Sequence, residues 1–276
     1  MNPHEAAKTS PAELVTSIWR NRHLALQMSK REILGRYRGS WMGMTWSIVN
    51  PIFMLSVYTF FFSVVFKSRW GVGNAGGHVD FAVVLFVGLI VHGLFSECIN
   101  RAPTLIIGNV NYVKKVVFPL EVFPWITMAS ALFNAAVSTV VLLGLQLILS
   151  GSAPWTAILF PLILLPLIFV TLGFAWLIAS TGVYIRDIGQ TTGLVTSVLL
   201  FVSPVFYPVS ALPPRMQSFV VWNPLTLIIE ESRKVLLFGE LPNWLGLFQY
   251  SLFSLFVAWA GFWWFQKTRK GFADVL

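Results

Sequence analysis

Charge is what this sequence has least of. Of its 276 residues only 11% are Asp, Glu, Lys or Arg, where an ordinary soluble domain carries about 25%, and the mean hydropathy is +0.74. That balance argues against a water-soluble fold. Cysteine is reduced to Cys98, inside an apolar run, so neither an internal disulfide nor a thiolate metal site is available; the residue reads as a small buried hydrophobe. The histidines are sparse and scattered, at His4, His23, His78 and His92, and give no metal-ligand spacing. Neither a glycine-rich phosphate-binding loop ending in Lys-Ser or Lys-Thr nor a nucleophile elbow occurs. Nucleotide hydrolysis, if the protein uses it, has to come from another chain.

What is abundant is uninterrupted apolar length. A hydrocarbon core of about 30 Å needs roughly 20 apolar helical residues, and stretches at 44–66, 81–99, 122–149, 158–183, 188–207 and 245–265 meet that need. The expected fold is an all-α integral membrane protein of six transmembrane helices, one membrane domain over 1–276. The first 43 residues hold no apolar core of the signal-peptide kind, so the first span is expected to act as the targeting signal. The net charge of +8 flanks the spans: fourteen basic residues precede span one, separate spans two and three or four and five, or follow span six, against five in the alternate loops. The positive-inside rule then puts both termini in the cytoplasm and removes nucleic acid as the reason for the charge. Between spans five and six, the apolar stretch 217–229 is too short to cross and is interrupted by Asn223-Pro224. Residues 208–235 are therefore expected to form re-entrant helices on the outer face.

Before span one, residues 11–38 predict an amphipathic interface helix. At about 100° per residue Val15, Ile18, Trp19, Leu26, Ile33 and Tyr37 share a stripe, with Arg20, Arg31 and Arg38 opposite. Gly35, Gly39 and Gly43 either let the chain turn into span one or mark close helix packing. Pro51 in span one and Pro161 and Pro166 in span four are expected to disturb those helices. Two ionisable groups fall inside span two, His92 near the midplane and Glu97 near the cytoplasmic end. They would make a thin proton relay. Glu230 and Glu231, followed by Arg233 and Lys234, read as a local ion network rather than acid–base machinery. Aromatics concentrate in span one (Tyr58, Phe60, Phe61, Phe62) and span five (Phe201, Phe206, Tyr207). Such faces can grip sugar rings without demanding one hydroxyl pattern, although lipid contact serves them as well.

Four motifs in order carry a resemblance: Arg36-Tyr37-Arg38-Gly39-Ser40 with Gly43, Trp46 and Asn50-Pro51; Tyr112-Val113-Lys114-Lys115 with Phe118-Pro119; Tyr184-Ile185-Arg186-Asp187; and Ser203-Pro204-Val205-Phe206-Tyr207-Pro208 leading to Asn223-Pro224. Through them nearly the whole chain resembles the permease subunits of ATP-binding-cassette exporters of lipid-linked polysaccharides, the O-antigen, capsule and teichoic-acid family. The resemblance implies a homodimer in a bacterial inner membrane, driven by two ATPase subunits that hold the ATP and magnesium, none being bound by this chain. The cargo would be an undecaprenyl-linked polysaccharide, O-antigen in preference to capsule or teichoic acid. A drug or small-lipid exporter is the alternative within the superfamily; a proton-coupled carrier and a membrane glycan-modifying enzyme are the alternatives outside it. Carried onto this sequence, Arg31, Arg36 and Arg38 would meet the pyrophosphate at the substrate entrance. Tyr58, Phe61, Phe201, Phe206, Tyr207 and Trp222 would line the channel. Asn111, Tyr112, Lys114, Lys115, Arg186 and Asp187 would couple to the ATPase.

Overall fold

A computed structural model of the chain describes residues 9–65, 81–114 and 118–276, and among these residues every regular element is helical. That is the solution hydrocarbon demands, because a helix satisfies its own backbone amides and carbonyls. Lys115 and the loop carrying Lys67, Arg69, Trp70, His78 and Asp80 lie outside the described residues, as do His4 and Lys8.

The amino-terminal segment is two helices, not the one expected over 11–38. Helix α1 (Pro11–Arg20) starts at Ser10, whose hydroxyl accepts the Glu13 amide at 3.2 Å, with Pro11 in the first turn where no amide is needed. It stops at Asn21, whose side-chain amide donates to the Ser17 carbonyl at 2.8 Å and competes with the helical ladder. Helix α2 (Arg22–Arg36) then lies against α7 (Phe123–Ser150) with Leu24, Ala25 and Met28 toward the core. Only α1 keeps the amphipathic character expected of the whole segment, with Val15 and Trp19 exposed and Leu14 and Ser17 buried. After α2 the chain turns at Gly39 and Gly43, with φ of 84° and 52°, values that side-chain-bearing residues avoid. Among the described residues, no atom beyond the local backbone and the adjacent residues lies within 4 Å of where a Cβ would stand at Gly35, Gly39 or Gly43. Turning, not close packing, is the role of Gly39 and Gly43 within the chain, while Gly35 sits in the last turn of α2.

Among the described residues, five helical segments are long and apolar enough to cross a bilayer: Gly43–Phe62, Phe81–Arg101, Leu120–Ile148, Trp155–Tyr184 and Trp244–Val275. The first contains α3 (Trp46–Tyr58) with Pro51 inside it, widening to π-helical geometry over Thr59–Val65. Helix α4 (Phe81–Arg101) is buried over most of its length, packed by α7, α8 (Phe160–Tyr184), α9 (Ile188–Val202), α11 (Thr226–Arg233) and α3. Pro161 falls in the first turn of α8, where its missing amide breaks nothing, and only Pro166 sits in the interior. Helix α12 (Trp244–Thr268) packs on α8 at two glycines: a Cβ on Gly173 would stand 2.5 Å from the Val257 carbonyl, and one on Gly261 would overlap the Gly173 carbonyl. The two backbones touch there, as small residues permit in membranes.

The sixth expected span, 188–207, is shorter than its apolar run. Helix α9 ends at Val202 because Ser203 precedes Pro204 and takes extended geometry, ψ 152°. Its 15 residues reach about 22 Å at 1.5 Å per residue. The chain then folds into two eight-residue helices, α10 (Pro214–Val221) and α11, separated at Asn223-Pro224. Asn223 donates to the Ser203 hydroxyl at 2.9 Å and accepts the Leu225 amide at 2.9 Å, so the interruption is built, not slack.

Short helices α5 (Thr104–Ile107) and α6 (Val110–Lys114) follow α4, and α13 (Phe272–Val275) follows α12. The Tyr184 hydroxyl donates to the Thr268 carbonyl, and Arg269 donates to Glu121, so the ends of α8 and α12 and the start of α7 share one end of the bundle.

Candidate functional site

At that end, α2, the close of α4, α5, α6 and the start of α7 enclose a cavity of about 1230 Å³. Its lining is cationic: Lys30, Arg31, Arg36, Arg38 and Arg101 face it, with Glu32 the acidic member. The structure thus gathers all three arginines expected at the substrate entrance. Tyr112 and Asn109 contribute the lining beneath them.

The arginines are not equivalent. Arg36 is paired with Glu97 and donates to the Ser130 hydroxyl at 2.9 Å. The other oxygen of Glu97 accepts from Asn134 at 2.8 Å. Arg101 is paired with Glu32 and stands 3.9 Å from Glu97. A carboxylate one helical turn inside an apolar segment is costly unless donors surround it; here they come from α2, α4 and α7. Glu97 therefore faces α2 and α7, whereas His92 Nε2 is held 2.9 Å from the Thr196 carbonyl on α9. The two do not form the proton relay weighed from sequence.

A second cavity of about 550 Å³ adjoins the first, sharing Arg36 and Tyr37 with it. It continues along α3, α4 and α7 past Asn50, Tyr58, Asn134 and Ser138. Of the aromatics expected along a channel, only Tyr58 lines this space. Phe61 (47% exposed), Phe201 (67%) and Trp222 (88%) stand on outer faces of the single chain. Phe206 stacks on Phe201, centroids 5.5 Å apart, and the Tyr207 hydroxyl donates to the Val202 carbonyl at 2.7 Å.

The residues expected to meet an ATPase divide similarly. Asn111, Lys114, Arg186 and Asp187 are exposed. Tyr112 instead packs inward on Phe118 and Phe123, at 4.7 Å and 5.8 Å between centroids, and anchors α6.

At the opposite end the anticipated ion network is present. Arg233 pairs with Glu230 at 3.0 Å and Lys234 with Glu231 at 2.8 Å. Arg233 also donates to the carbonyls of Val84 at 3.2 Å and Val205 at 2.9 Å, riveting α11 to α4 and to the turn after α9. Burial pulls its pKa down to about 10 while Glu230 opposes the shift, so it remains charged near neutrality. Glu231 accepts the Asn243 amide as well, at 2.8 Å, which ties α11 to the cap of α12. Among the described residues no three His, Cys, Asp or Glu side chains gather as a metal site requires.

Sequence reasoning passed over Arg101, Ser130, Asn134 and Glu121. Arg101 follows Glu97 by one helical turn, and Glu121 is a lone acid within the apolar Phe118–Trp125 stretch; both signals were readable.

Comparison with known proteins adds a family and named relatives. Residues 23–237 match the family described as ABC-2 type transporter. The chain is similar to the O-antigen export system permease protein RfbA of Myxococcus xanthus, 27% identical over 263 residues, covering 95% of this chain and 98% of that protein. A protein of the same description from Klebsiella pneumoniae is 23% identical over 92% of this chain and 95% of its own length. The polysialic acid transport protein KpsM of Escherichia coli is 24% identical over 84% of this chain and 88% of its own.

Proposed function

The chain belongs to the ABC-2 type transporter family, and from that premise we propose that, as the membrane permease of such a transporter, it exports a lipid-linked polysaccharide, O-antigen in preference to capsular glycan, across a bacterial inner membrane. The observation that carries this reading is the cation-lined cavity opening beside a charge-poor bundle, in a chain whose relatives are named for O-antigen and polysialic acid transport. Arg31, Arg36 and Arg38 supply forked donors that match a pyrophosphate linker. Arg36 would exchange Glu97 for the incoming phosphate.

Family membership implies an ATPase partner; two copies, each holding ATP and magnesium, would dock at α6 and at the Arg186-Asp187 turn, with Lys115 beside them. Two permeases would complete the passage, because Leu55 alone is buried in the Gly43–Phe62 segment within one chain and much of its surface is exposed. The aromatics of α3, its π-helical extension, α9 and the turn after it, with Trp222, would then face a common lumen. In this arrangement α9 and the turn after it complete a sixth crossing, α10 and α11 form the re-entrant pair at the outer mouth, α1 lies in the inner interface, and both termini are cytoplasmic.

Charge reversal at all three arginines tests the site. In cells lacking the native gene, the parent restores surface polysaccharide, and Arg31→Glu with Arg36→Glu and Arg38→Glu is expected to reduce it by tenfold or more while lipid-linked glycan accumulates inside. Unchanged export would remove these residues from the pathway. Accumulation of a different lipid or drug in the knockout would redirect the cargo.

A further inference from the structure

Three separate parts of the chain meet on one buried carboxylate that no motif singled out. Glu121 follows the α6 segment at the start of α7 and is 6% exposed. One of its oxygens accepts from the Ser17 hydroxyl of α1 at 2.9 Å, and the other accepts from Arg269, just past α12, at 2.8 Å. Arg269 uses its second nitrogen to hold the Phe118 carbonyl at 2.9 Å, so its fork closes the chain between Phe118 and Glu121. The Glu121 carbonyl in turn accepts the Trp176 indole at 3.0 Å. Every polar atom of the residue's side chain is thus committed, in a setting where an unpaired charge would be expensive.

The neighbours show what the residue connects. Tyr112 of α6 packs on Phe118, three residues before Glu121. Helix α13, carrying fully buried Phe272, lies against both α6 and α8. Thr9, just ahead of α1, accepts the Trp259 indole of α12 through its carbonyl at 3.1 Å, a second anchor for this end of the chain. A displacement of α6 therefore has a stiff route through ring packing and charge-assisted bonds into α1, and the carboxy-terminal segment braces that route from behind.

We infer that Glu121, clamped by Arg269, is a positioning residue that transmits movement of the ATPase-docking segment to the amino-terminal helix, with Ser17 as its contact there. The inference rests on the reading that α6 docks the ATPase. It does not depend on which polysaccharide is carried.

The test uses the assembled exporter in membranes, measuring ATPase subunits retained, ATP hydrolysed and polysaccharide moved per ATP. Arg269→Met and Glu121→Gln are expected to keep the ATPase bound yet lower transport per ATP about tenfold, the scale of one charge-assisted hydrogen bond. Ser17→Ala, which removes a single bond and leaves the fold otherwise intact, is expected to lower it roughly threefold. Arg269→Lys, able to reach Glu121 but not to fork, should recover most of the loss. A purely structural role would lower the amount of assembled exporter and leave transport per ATP unchanged, and that result overturns the inference. An Asn111→Cys permease reports docking independently, by thiol cross-linking to the ATPase. Absence of the cross-link overturns the docking reading and this inference together; a normal cross-link with unchanged coupling in Arg269→Met and Ser17→Ala overturns this inference alone.

Discussion

A buried charged side chain survives in this protein where its neighbours complete it, and Arg233 is the fullest case. Its guanidinium satisfies Glu230 and two backbone carbonyls that have no water to turn to. Arg233→Ala leaves those acceptors buried and is expected to cost about 3–5 kcal/mol, read as a lowered midpoint of thermal unfolding in detergent. Arg233→Lys, with one point charge for three acceptors, should fall between. The pairing with Glu230 was legible because the residues lie one turn apart on a helix. The bonds to Val84 and Val205 were not, since nothing local links positions 149 and 28 residues distant. Glu97 follows the same pattern: its depth was readable, but its partners Arg36 and Asn134 come from other helices.

At the scale of elements, sequence signals worked best where backbone chemistry decides. Pro204 ends α9 through its effect on Ser203, and Ser10 with Pro11 starts α1. Hydrophobic periodicity over 11–38 did less well, because Asn21 breaks the helix and α2 trades the interface for a contact with α7. The glycine contact between α8 and α12 escaped notice because each glycine sits among bulky neighbours and only the crossing makes it necessary. Gly261→Ala is expected to push the helices apart at a cost of about 1–3 kcal/mol or more. The measurement is the thermal midpoint together with the yield of folded permease. Asn243→Ala, which removes the side-chain cap accepting the Gly246 amide at 3.1 Å, should cost about 1 kcal/mol and leave that crossing intact.

For the whole molecule, alternation is the issue. The end of α4, the start of α7 and the ends of α8 and α12 meet at one end of the bundle, where α1 and α13 also lie, while Arg233 ties α11 to the opposite end of α4. Such an arrangement needs an even number of crossings, which fits the count of six only if α9 with the turn after it completes one. Tags at the two ends of the chain are therefore expected to share one accessibility in intact cells and to become labelled together on permeabilisation. A tag inserted at Gln217 should be labelled from outside. Opposite behaviour of the two ends would sink the six-crossing scheme.

Composition and apolar length alone determined that this is a helical membrane protein, and the clustering of charge at span ends set an expectation for its orientation. These are properties that water and hydrocarbon impose on a chain regardless of how its helices meet. Which helices meet was decided only by tertiary structure. Bringing Arg36 to Glu97, Gly173 to Gly261 and Ser17 to Glu121 depends on packing between segments far apart in the chain, where no local rule of spacing or propensity reaches.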